Sequence, residues 1–394
     1  MPMPKFPGFS DRVKQIPPSV FEKFRKTIKS KGENLIRLHI GDTYLPPPYA
    51  LPIESEFLSA HPGFSRYCDT FGIESLRREI VKKLREDNHL TVEIENILIT
   101  SGATNALSAS VLALLNPEEE ILVLTPCWPF FPGMVRLAGA RVVEVPFYVQ
   151  LFEQPDLNIF RYLEQYVTER TVALYLNTPN NPSGKVLTEA QLREIAELAQ
   201  THRLWIISDE AYDGLVFDDY RHISIATLPD MFAQTLSIFT FSKSLMFAGI
   251  RLGYLATEAD TIQHVNKCMV HQLYSPPTIT QQMMIEPLKQ RHQFIPQIRK
   301  HYQSLRDLFL AHLAAQVNVP EGTYFLFFPV DQFLNGRHYW DLINDFLNAG
   351  VTVAPGEDFG KDFSHYVRLC FTGEPPQRLK TSIERINKVL EGSE

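Results

Sequence analysis

The sequence lacks the markers of several large protein classes. It has no apolar run near the roughly 20 residues that cross a bilayer, and its first eight residues lack the continuous apolar stretch of a signal peptide. Its formal net charge is -7, whereas binding to nucleic-acid phosphates requires a basic face. We therefore expect neither a membrane protein nor a nucleic-acid-binding protein.

Cysteine is scarce, and no Cys-x-x-Cys pair occurs. The four cysteines are scattered along the chain at Cys68, Cys127, Cys268 and Cys370. This spacing indicates neither a zinc site nor a disulfide framework, so a reducing cytoplasm is the expected location. The sequence also has no internal repeat, and no Gly-x-Gly-x-x-Gly follows a predicted strand, which argues against a nicotinamide-dependent oxidoreductase.

The length and composition are those of an ordinary globular protein with more than one folding unit. The chain has 394 residues, of which 44% are hydrophobic and 21% are charged. The residue pattern changes after residue 288, and residues 46–48 are three consecutive prolines. We predict an N-terminal segment (1–48) that packs with a small C-terminal domain (289–394), and a large domain (49–288) between them.

Seven short apolar runs in the middle of the chain are typical of strands buried on both faces. Helical patterns such as Glu189–His202 lie between several of them. The predicted fold is α/β: a mostly parallel seven-stranded sheet flanked by helices, plus a smaller α/β domain. The predicted strands are Ile97–Thr100, Ile121–Thr125, Val142–Val145, Val172–Leu176, Leu204–Ser208, Leu236–Phe239 and Leu252–Ala256.

Further elements are predicted at both ends of the chain. Val20–Lys31 is amphipathic, and Phe294–Ala315 and Gln377–Glu391 have helical spacing. Tyr324–Phe328 is an apolar run typical of a strand in the smaller domain.

Ligands in open α/β sheets gather beyond the carboxyl ends of the strands, so the residues after each strand are the candidates for chemistry. Ser101-Gly102-Ala103-Thr104-Asn105 leads into a predicted helix, Ala106–Leu115. Free N–H groups at that helix start, with the Thr104 hydroxyl, would suit a phosphate. An ordinary N-cap explains the same residues if the segment is taken alone.

The next two strand ends carry an aromatic residue and a stiff polar loop. Trp128 could lie flat on an aromatic ligand, although a core tryptophan is the commoner case. Residues 177–184 read Asn-Thr-Pro-Asn-Asn-Pro-Ser-Gly. Two prolines stiffen this loop, as would suit an asparagine amide that must meet a cofactor hydroxyl.

The last two strand ends carry a carboxylate and a lysine. Asp209 would be costly in the crevice without a cationic partner, and Tyr212 follows three residues later. A helix N-cap is the alternative for Asp209. Lys243 follows another apolar strand, with Arg251 eight positions on, and could hold an aldehyde cofactor as a Schiff base. A solvated surface lysine is the ordinary alternative.

Taken together and in order, these segments resemble the class I/II aminotransferases, pyridoxal 5'-phosphate (PLP) enzymes of the aspartate aminotransferase superfamily. The resemblance runs from Ile40-Gly41-Asp42 to Val367-Arg368. It is carried by residues 177–184, by Ser208-Asp209-Glu210-Ala211-Tyr212, and by Ser242-Lys243 with Gly249-Ile250-Arg251-Leu252-Gly253-Tyr254. Two positions depart from the usual pattern: Ser183 stands where threonine is common, and Asp69 where proline is frequent.

The resemblance implies a role for each matching residue. Lys243 would bind the cofactor and later move the Cα proton, and Asp209 would keep the pyridine nitrogen protonated. Asn181 and Tyr212 would hydrogen-bond the phenolic oxygen, and Trp128 would stack on the ring. The implied phosphate site consists of Gly102, Ala103, Thr104, Thr240, Ser242 and Arg251.

The resemblance also implies a substrate clamp and a partner subunit. Arg368 would bind the substrate's α-carboxylate bidentately, with Gly41 and Asn181 beside it, whereas a surface ion pair is the ordinary alternative for this arginine. Tyr67 resembles the tyrosine that reaches the phosphate of a neighbouring subunit. The expected active unit is a homodimer with shared sites.

Neutral or aromatic amino acids are the expected donors, with a 2-oxo acid as acceptor in a ping-pong reaction. Dicarboxylate-specific members add a cationic group, but Thr104 and Asn105 occupy the first phosphate loop, and Lys267 is the one Lys or Arg between residues 265 and 284. Residues 320–326 resemble the kynurenine and glutamine transaminase branch. A carbon–sulfur β-lyase of the same fold is the nearest alternative. A PLP-sensing regulator is less favoured, because the aminotransferase pattern begins near residue 10 and the charge does not suit DNA binding.

Overall fold

A seven-stranded sheet forms the centre of the molecule. The structure is a computed structural model that describes residues 6–17, 28–29, 31–51 and 55–392. The strand order in this sheet is β2-β8-β7-β6-β5-β3-β4, and only the pairs made by β8 are antiparallel. The strands are β2 (Ile97–Thr100), β3 (Glu120–Thr125), β4 (Arg141–Pro146), β5 (Thr171–Asn177), β6 (Trp205–Asp209), β7 (Thr235–Thr240) and β8 (Gly253–Ala256).

All seven predicted strands are present, each within one residue of its predicted ends. Alternate side chains of β3 enter different cores. Ile121 and Val123 pack in one apolar cluster with Leu107 and Val135, while Leu122 and Leu124 pack in another. This period of two buries both faces of the sheet, which explains why the strands are continuously apolar.

Of the helices before residue 290, those at Glu74–Asp87, Gly102–Leu114, Phe131–Ala138 and Ala259–Leu273 contact strands of this sheet. Glu189–His202 was predicted with the observed bounds, but the helix predicted at Ala106–Leu115 begins four residues earlier, at Gly102. The helices are α1 (Asp11–Lys14), α2 (Ser55–Ala60), α3 (Glu74–Asp87), α4 (Gly102–Leu114), α5 (Phe131–Ala138), α6 (Gln150–Glu153), α7 (Ile159–Glu164), α8 (Glu189–His202), α9 (Ala259–Leu273), α10 (Thr278–Met283) and α11 (Ile285–Lys289).

The C-terminal quarter of the chain builds a second, three-stranded antiparallel sheet, in the order β11-β12-β9. Its strands are β9 (Phe325–Pro329), β11 (Ala354–Pro355) and β12 (Tyr366–Cys370). Its helices are α12 (Arg291–His312), α13 (Tyr339–Asn348) and α14 (Pro376–Glu391). The predicted helix Phe294–Ala315 therefore starts and ends three residues earlier than expected, while the other predicted bounds hold within one residue.

The N-terminal segment contacts this C-terminal part. Strand β1 (Ile36–Arg37) pairs in parallel with β10 (Val351–Thr352), and Ile36 and Leu38 are buried in the same apolar cluster as Phe325. We predicted that residues 1–48 pack with the small domain, and these contacts are of that kind. The division of the chain into domains stays a prediction. The amphipathic stretch Val20–Lys31 lies mostly outside the described residues.

No helix of the described part is long and apolar enough to cross a membrane.

Candidate active site

A cavity of about 560 Å³ opens at the carboxyl ends of the central strands. It is bounded by residues from both sheets and from the N-terminal segment, and most of the predicted site residues line it. They are Gly41, Ala103, Thr104, Trp128, Asn181, Asp209, Tyr212, Thr240, Ser242, Lys243, Arg251 and Arg368. Residues separated by more than 300 positions in sequence thus meet at one site.

Two predicted residues, Gly102 and Tyr67, do not line the cavity. Gly102 has a left-handed φ of +77°, and a Cβ atom there would lie 2.8 Å from the Arg251 guanidinium. Glycine at this position therefore lets the arginine approach the start of α4. Tyr67 lies outside the cavity with 82% of its surface exposed, and its ring packs edge-on against Tyr274 at 4.8 Å between centroids.

Asp209 is buried at the end of β6 and faces the cavity. The Tyr175 hydroxyl donates to its Oδ2 at 2.9 Å, and the Ala211 N–H donates to its Oδ1 at 3.2 Å. Burial raises the pKa of Asp209 to about 6. No helix begins after Asp209, so the N-cap alternative is wrong. Among the described residues this carboxylate forms no ion pair, which leaves a buried anion suited to a cationic ligand atom.

The polar loop 177–184 is buried throughout, and its own amides hold it in shape. The Asn181 N–H donates to Asn177 Oδ1 at 2.7 Å, and Asn177 Nδ2 donates to the Asp209 carbonyl at 2.8 Å. The hydroxyl of Ser183 donates to Asn180 Oδ1 at 2.6 Å. The bond from Asn177 to Asp209 couples the loop to β6, and Ser183 makes its bond to Asn180 without the methyl group of a threonine.

Lys243 points into the cavity and is not a solvated surface residue, so that alternative is wrong. Its Nζ donates to the Gly41 carbonyl at 3.0 Å and to the Tyr324 hydroxyl at 2.8 Å. Burial lowers the pKa of Lys243 from 10.5 to about 8. Such an amine is neutral in a large fraction of molecules near pH 8, as a nucleophile and a base must be.

The expected phosphate site lies between the ends of β2, β7 and β8. Ser101 is at the N-cap position of α4 but does not cap the helix with its side chain; its hydroxyl donates instead to the Arg251 carbonyl at 3.3 Å. The Thr240 hydroxyl donates to Ser242 Oγ at 3.0 Å. A helix start, two hydroxyls and a guanidinium are the groups that bind a phosphate dianion.

Arg368 is buried and forms no ion pair with any described residue, so the ordinary alternative, a surface ion pair, is wrong. Its Nη1 donates to Asn181 Oδ1 at 3.0 Å and its Nη2 to the His39 carbonyl at 2.6 Å, while its Nε is buried without a partner. The guanidinium lies over the rings of Phe325 and Phe359, at 4.2 and 4.9 Å from their centroids. An unpaired buried donor beside a cavity fits an anionic ligand.

Several residues of the site were not predicted as such. Tyr175 and Tyr324 contact Asp209 and Lys243, while His39, Phe325 and Phe359 line the cavity around Arg368. Burial, and then the nearby Arg368, lowers the pKa of His39 to about 4. Tyr175 and Phe325 belong to apolar strands, where an aromatic residue signals core packing, so the sequence carries no separate signal for them.

The groups at this cavity fit a phosphorylated, protonated pyridine aldehyde. Asp209 is a buried carboxylate without a cation, Lys243 is an amine with a lowered pKa, and Arg251 approaches a glycine at a helix start. Trp128 lines the same cavity and presents an aromatic surface. PLP carries a complementary group for each of these residues.

Comparisons with known proteins agree with this geometry. Residues 33–386 match the model of the family described as aminotransferase class I and II. The chain is 32% identical over 391 residues to the aspartate aminotransferase of Pyrococcus abyssi, covering 97% of this chain and 98% of that protein. It is 31% identical over 395 residues to aromatic-amino-acid aminotransferase 2 of Thermococcus litoralis, with 97% and 98% covered.

Solved structures show the same overall similarity. The aspartate aminotransferase of Thermus thermophilus with maleate superposes with a TM-score of 0.88 at 29% identity, covering 97% of this chain and 99% of that one. The aromatic aminotransferase of Pyrococcus horikoshii superposes with a TM-score of 0.82 at 30% identity, covering 94% and 99%. The expected fold, a mostly parallel seven-stranded sheet with a smaller α/β part, is confirmed.

Proposed function

We propose that the chain, which belongs to the class I and II aminotransferase family, binds PLP. The proposed site is the cavity at the carboxyl ends of the central strands. The chain is an amino acid aminotransferase, which moves an α-amino group to a 2-oxo acid. The observation that carries the PLP proposal is the meeting of Lys243, Asp209 and Arg368 at one cavity. Asp209 and Arg368 are buried there and Lys243 is partly buried, and none of the three forms an ion pair with a described residue.

PLP supplies an aldehyde that reacts with amines and a ring that takes up the electron pair left when the α-proton departs. Lys243, with its lowered pKa, anchors the cofactor and as a neutral amine moves the α-proton. Asp209 holds a proton at the ring nitrogen by charge. Asn181 and Tyr212 hydrogen-bond the phenolic oxygen, and burial keeps Tyr212 protonated by raising its pKa above the ordinary range.

The remaining residues hold the two anionic groups. Gly102, Ala103 and Thr104 at the start of α4, with Thr240, Ser242 and Arg251, bind the phosphate. Arg368 takes the α-carboxylate of the substrate, with Gly41 and Asn181 beside it. In this role Arg368 exchanges neutral partners, an amide oxygen and a carbonyl, for a carboxylate, which is the stronger acceptor.

The substrate side chain is neutral or aromatic. Beyond Lys243, Arg251 and Arg368, the described residues that line the cavity include no lysine or arginine, and Ile40, Leu107, Phe130, Phe325 and Phe359 supply apolar surface. A side-chain carboxylate would have no dedicated cation within one chain. The relatives named above include both an aspartate and an aromatic aminotransferase, so their names fit either side chain.

The active unit is a homodimer in the cytoplasm, in which Tyr67 reaches the phosphate of the other subunit. The proposal is supported by the exposure of Tyr67 in a single chain, and by exposed apolar side chains at Leu112, Phe130 and Leu137 on the same large unit. The four cysteines are all free, as suits a reducing compartment.

The proposal is tested with the purified full-length protein and added PLP. A panel of amino donors is assayed against pyruvate, 2-oxoglutarate and aromatic 2-oxo acids. Borohydride reduction followed by peptide mass spectrometry locates the attached cofactor. We expect amino-group transfer with neutral or aromatic donors, and cofactor attached to the peptide that contains residue 243.

The control variants separate the anchor from other lysines. Lys243→Ala is expected to lose single-turnover transfer and cofactor attachment, whereas Lys82→Ala, at an exposed ion pair with Glu79, keeps both. Attachment and transfer that persist in Lys243→Ala would refute the assignment. Pyruvate and ammonia formed from cystathionine, without amino-group transfer, would show a β-lyase instead.

A further inference from the structure

The amine of Lys243 lies in a closed triangle of hydrogen bonds that the proposed catalytic roles do not use. Its Nζ donates to the Gly41 carbonyl at 3.0 Å and to the Tyr324 hydroxyl at 2.8 Å, and the Tyr324 hydroxyl donates to the same carbonyl at 3.0 Å. Gly41 contacts Tyr324, the residue that precedes β9, although it lies 283 residues earlier in the sequence. The triangle therefore joins the N-terminal segment, the central sheet and the second sheet at the base itself.

The backbone before Tyr324 is held in an unusual conformation. Thr323 has a left-handed φ of +67°, which a β-branched residue rarely adopts, and its N–H donates to the Leu215 carbonyl at 2.8 Å. Its hydroxyl is buried and has no hydrogen-bond partner in the part of the chain that the structure describes. Strain of this kind persists where the surroundings impose it, and it frequently marks a functional position.

Packing then fixes the direction of the Tyr324 ring. The ring is buried and makes edge contacts with Tyr212 at 5.2 Å and with Tyr302 at 6.2 Å between centroids. A Cβ atom on Gly41 would lie 2.6 Å from the Phe325 ring, so glycine lets the carbonyl at 41 approach. The hydroxyl of Tyr324 has little freedom to leave Lys243.

The donor count defines what this arrangement does to the amine. The Tyr324 hydroxyl donates its proton to the Gly41 carbonyl. The Tyr324 oxygen can therefore only accept a hydrogen bond from Lys243. A neutral amine has two N–H groups and one lone pair. The two acceptors, Tyr324 and Gly41, occupy both N–H groups, and the tetrahedral geometry then turns the lone pair away from them.

We propose that Tyr324 is a positioning residue for the base: with the Gly41 carbonyl, it holds the free amine of Lys243 with its lone pair directed to the cavity. The proposal rests on the proposed function, in which the amine is free while it moves the α-proton. Deletion of the Tyr324 hydroxyl leaves one N–H of Lys243 without its acceptor, so the amine samples orientations that do not face the substrate.

The first test needs no turnover. The full-length protein freed of cofactor is labelled with trace acetic anhydride at pH 6 to 11, and peptide mass spectrometry reports the labelling of residue 243. Hydrogen bonds from an ammonium group are stronger than those from a neutral amine, so loss of an acceptor lowers the pKa. We expect Tyr324→Phe to move the labelling midpoint of Lys243 down by roughly half a unit to one unit.

The second test uses the protein loaded with PLP. Single-turnover transfer is measured with a donor that carries either hydrogen or deuterium at Cα. Tyr324→Phe is expected to slow the step about tenfold, as for one lost hydrogen bond in the transition state, and to increase the isotope effect. The dissociation constants of the donor and of PLP should stay within about twofold, a change of less than 0.5 kcal/mol.

Tyr302→Phe is the matched control, because it deletes a buried hydroxyl of the same ring cluster that bonds Thr43 at 2.6 Å and not Lys243. Tyr324→Gln, which keeps an acceptor, should recover part of the rate and of the labelling midpoint. If Tyr324→Phe does not fold, Tyr324→Gln is compared with the wild type and with Tyr302→Phe in the same two measurements.

The outcomes separate this inference from the function on which it rests. An unchanged midpoint and isotope effect in Tyr324→Phe, or equal changes in Tyr302→Phe, overturn the positioning role. A wild-type protein that transfers no amino group overturns the proposed function, and the labelling midpoint still shows whether Tyr324 holds the amine.

Discussion

Arg368 Nη1 donates a 3.0 Å hydrogen bond to Asn181 Oδ1, and so joins the second sheet to the loop that follows β5. The two residues were predicted for different ends of the ligand, the substrate carboxylate and the ring oxygen. If Asn181 contacts the cofactor ring as proposed, this direct contact would place the Arg368 guanidinium beside the ring. A substrate carboxylate bound by Arg368 would thereby hold the α-carbon beside the cofactor, close to Lys243.

Replacement of Arg368 by lysine should raise KM for both the amino donor and the 2-oxo acid by about 100-fold, because lysine cannot make the bidentate contact. The rate at saturation should change less than KM. Steady-state kinetics with both substrates measure this effect. Arg337→Lys, at an exposed ion pair with Asp345, is the control and should leave both constants unchanged. A KM change for only one substrate would contradict a shared carboxylate clamp.

Asp209→Asn should slow single-turnover transfer by about 10² to 10⁴, since loss of one partner of a buried ion pair costs 3–5 kcal/mol. The amide keeps the shape of the side chain and its bond from Tyr175 but removes the charge that is proposed to hold the proton on the ring nitrogen of PLP. Tyr175→Phe tests the same carboxylate from the other side and should have a much smaller effect. Equal rates in Asp209→Asn and the wild type would exclude this role.

In the cofactor-free protein, Lys243 should contribute to the free energy of unfolding an amount that increases as the pH rises from about 8 to 10.5. The folded pKa of Lys243 is about 8 and its ordinary value is 10.5, so the unfolded chain binds more protons in that window and folding is favoured as the proton is lost. Lys243→Met has no such group. Its melting temperature should exceed that of the wild type at pH 7, and the difference should shrink through the window. Parallel melting curves at every pH would refute the lowered pKa.

Gly253→Ala should destabilise the fold by about 1–3 kcal/mol and weaken PLP binding. A Cβ atom at 253 would lie 2.7 Å from backbone atoms of Gly102, Ala103 and Phe239, none of which can rotate away. The strain would act on the start of α4, which is proposed to bind the phosphate. Gly249→Ala is the control in the same segment, since nothing lies within 4 Å of its Cβ position. Urea unfolding and PLP titration distinguish the two variants.

Thr104→Lys should shift the substrate preference toward dicarboxylic donors. Thr104 lines the cavity, so a cation there would meet a side-chain carboxylate that finds no cation now. We expect the ratio of kcat/KM for glutamate over phenylalanine to rise about tenfold, or ~1.4 kcal/mol. Asn105→Lys adds the same charge at a position bonded to Gln272 outside the cavity lining and should leave the ratio unchanged. An equal change in both variants would contradict the placement of the side-chain pocket.

Local patterns in the sequence predicted the elements well and the contacts between them poorly. The strands were found because burial on both faces makes each one continuously apolar. The start of α4 was predicted late because Gly102, Thr104 and Asn105 have low helix propensity, although the helix begins at Gly102 in the structure. Apolar runs have no direction, so the antiparallel orientation of β8 left no mark on its sequence.

The same distinction applies to the site. Lys243 and Asp209 were found because charged residues beside apolar strands are unusual, and Arg368 was found because its place in the chain matches a family. Tyr175 and Tyr324 were missed because their importance lies in contacts with residues 34 and 81 positions away. No periodicity in a strand distinguishes a tyrosine that fills a core from one that also donates to a buried carboxylate.

The reversed direction of β8 sets how much the segment between β7 and β8 can vary in length. Thr240 at the end of β7 is paired with Gly253 at the start of β8. The chain therefore leaves and re-enters the sheet at the same end of the strands. A connection between parallel strands would have carried the chain to the opposite end of the strands, usually through a helix. Lys243 and Arg251 therefore share one short loop with both ends fixed. Insertions or deletions there would displace the base and the phosphate-binding cation together, and natural length variation should fall elsewhere.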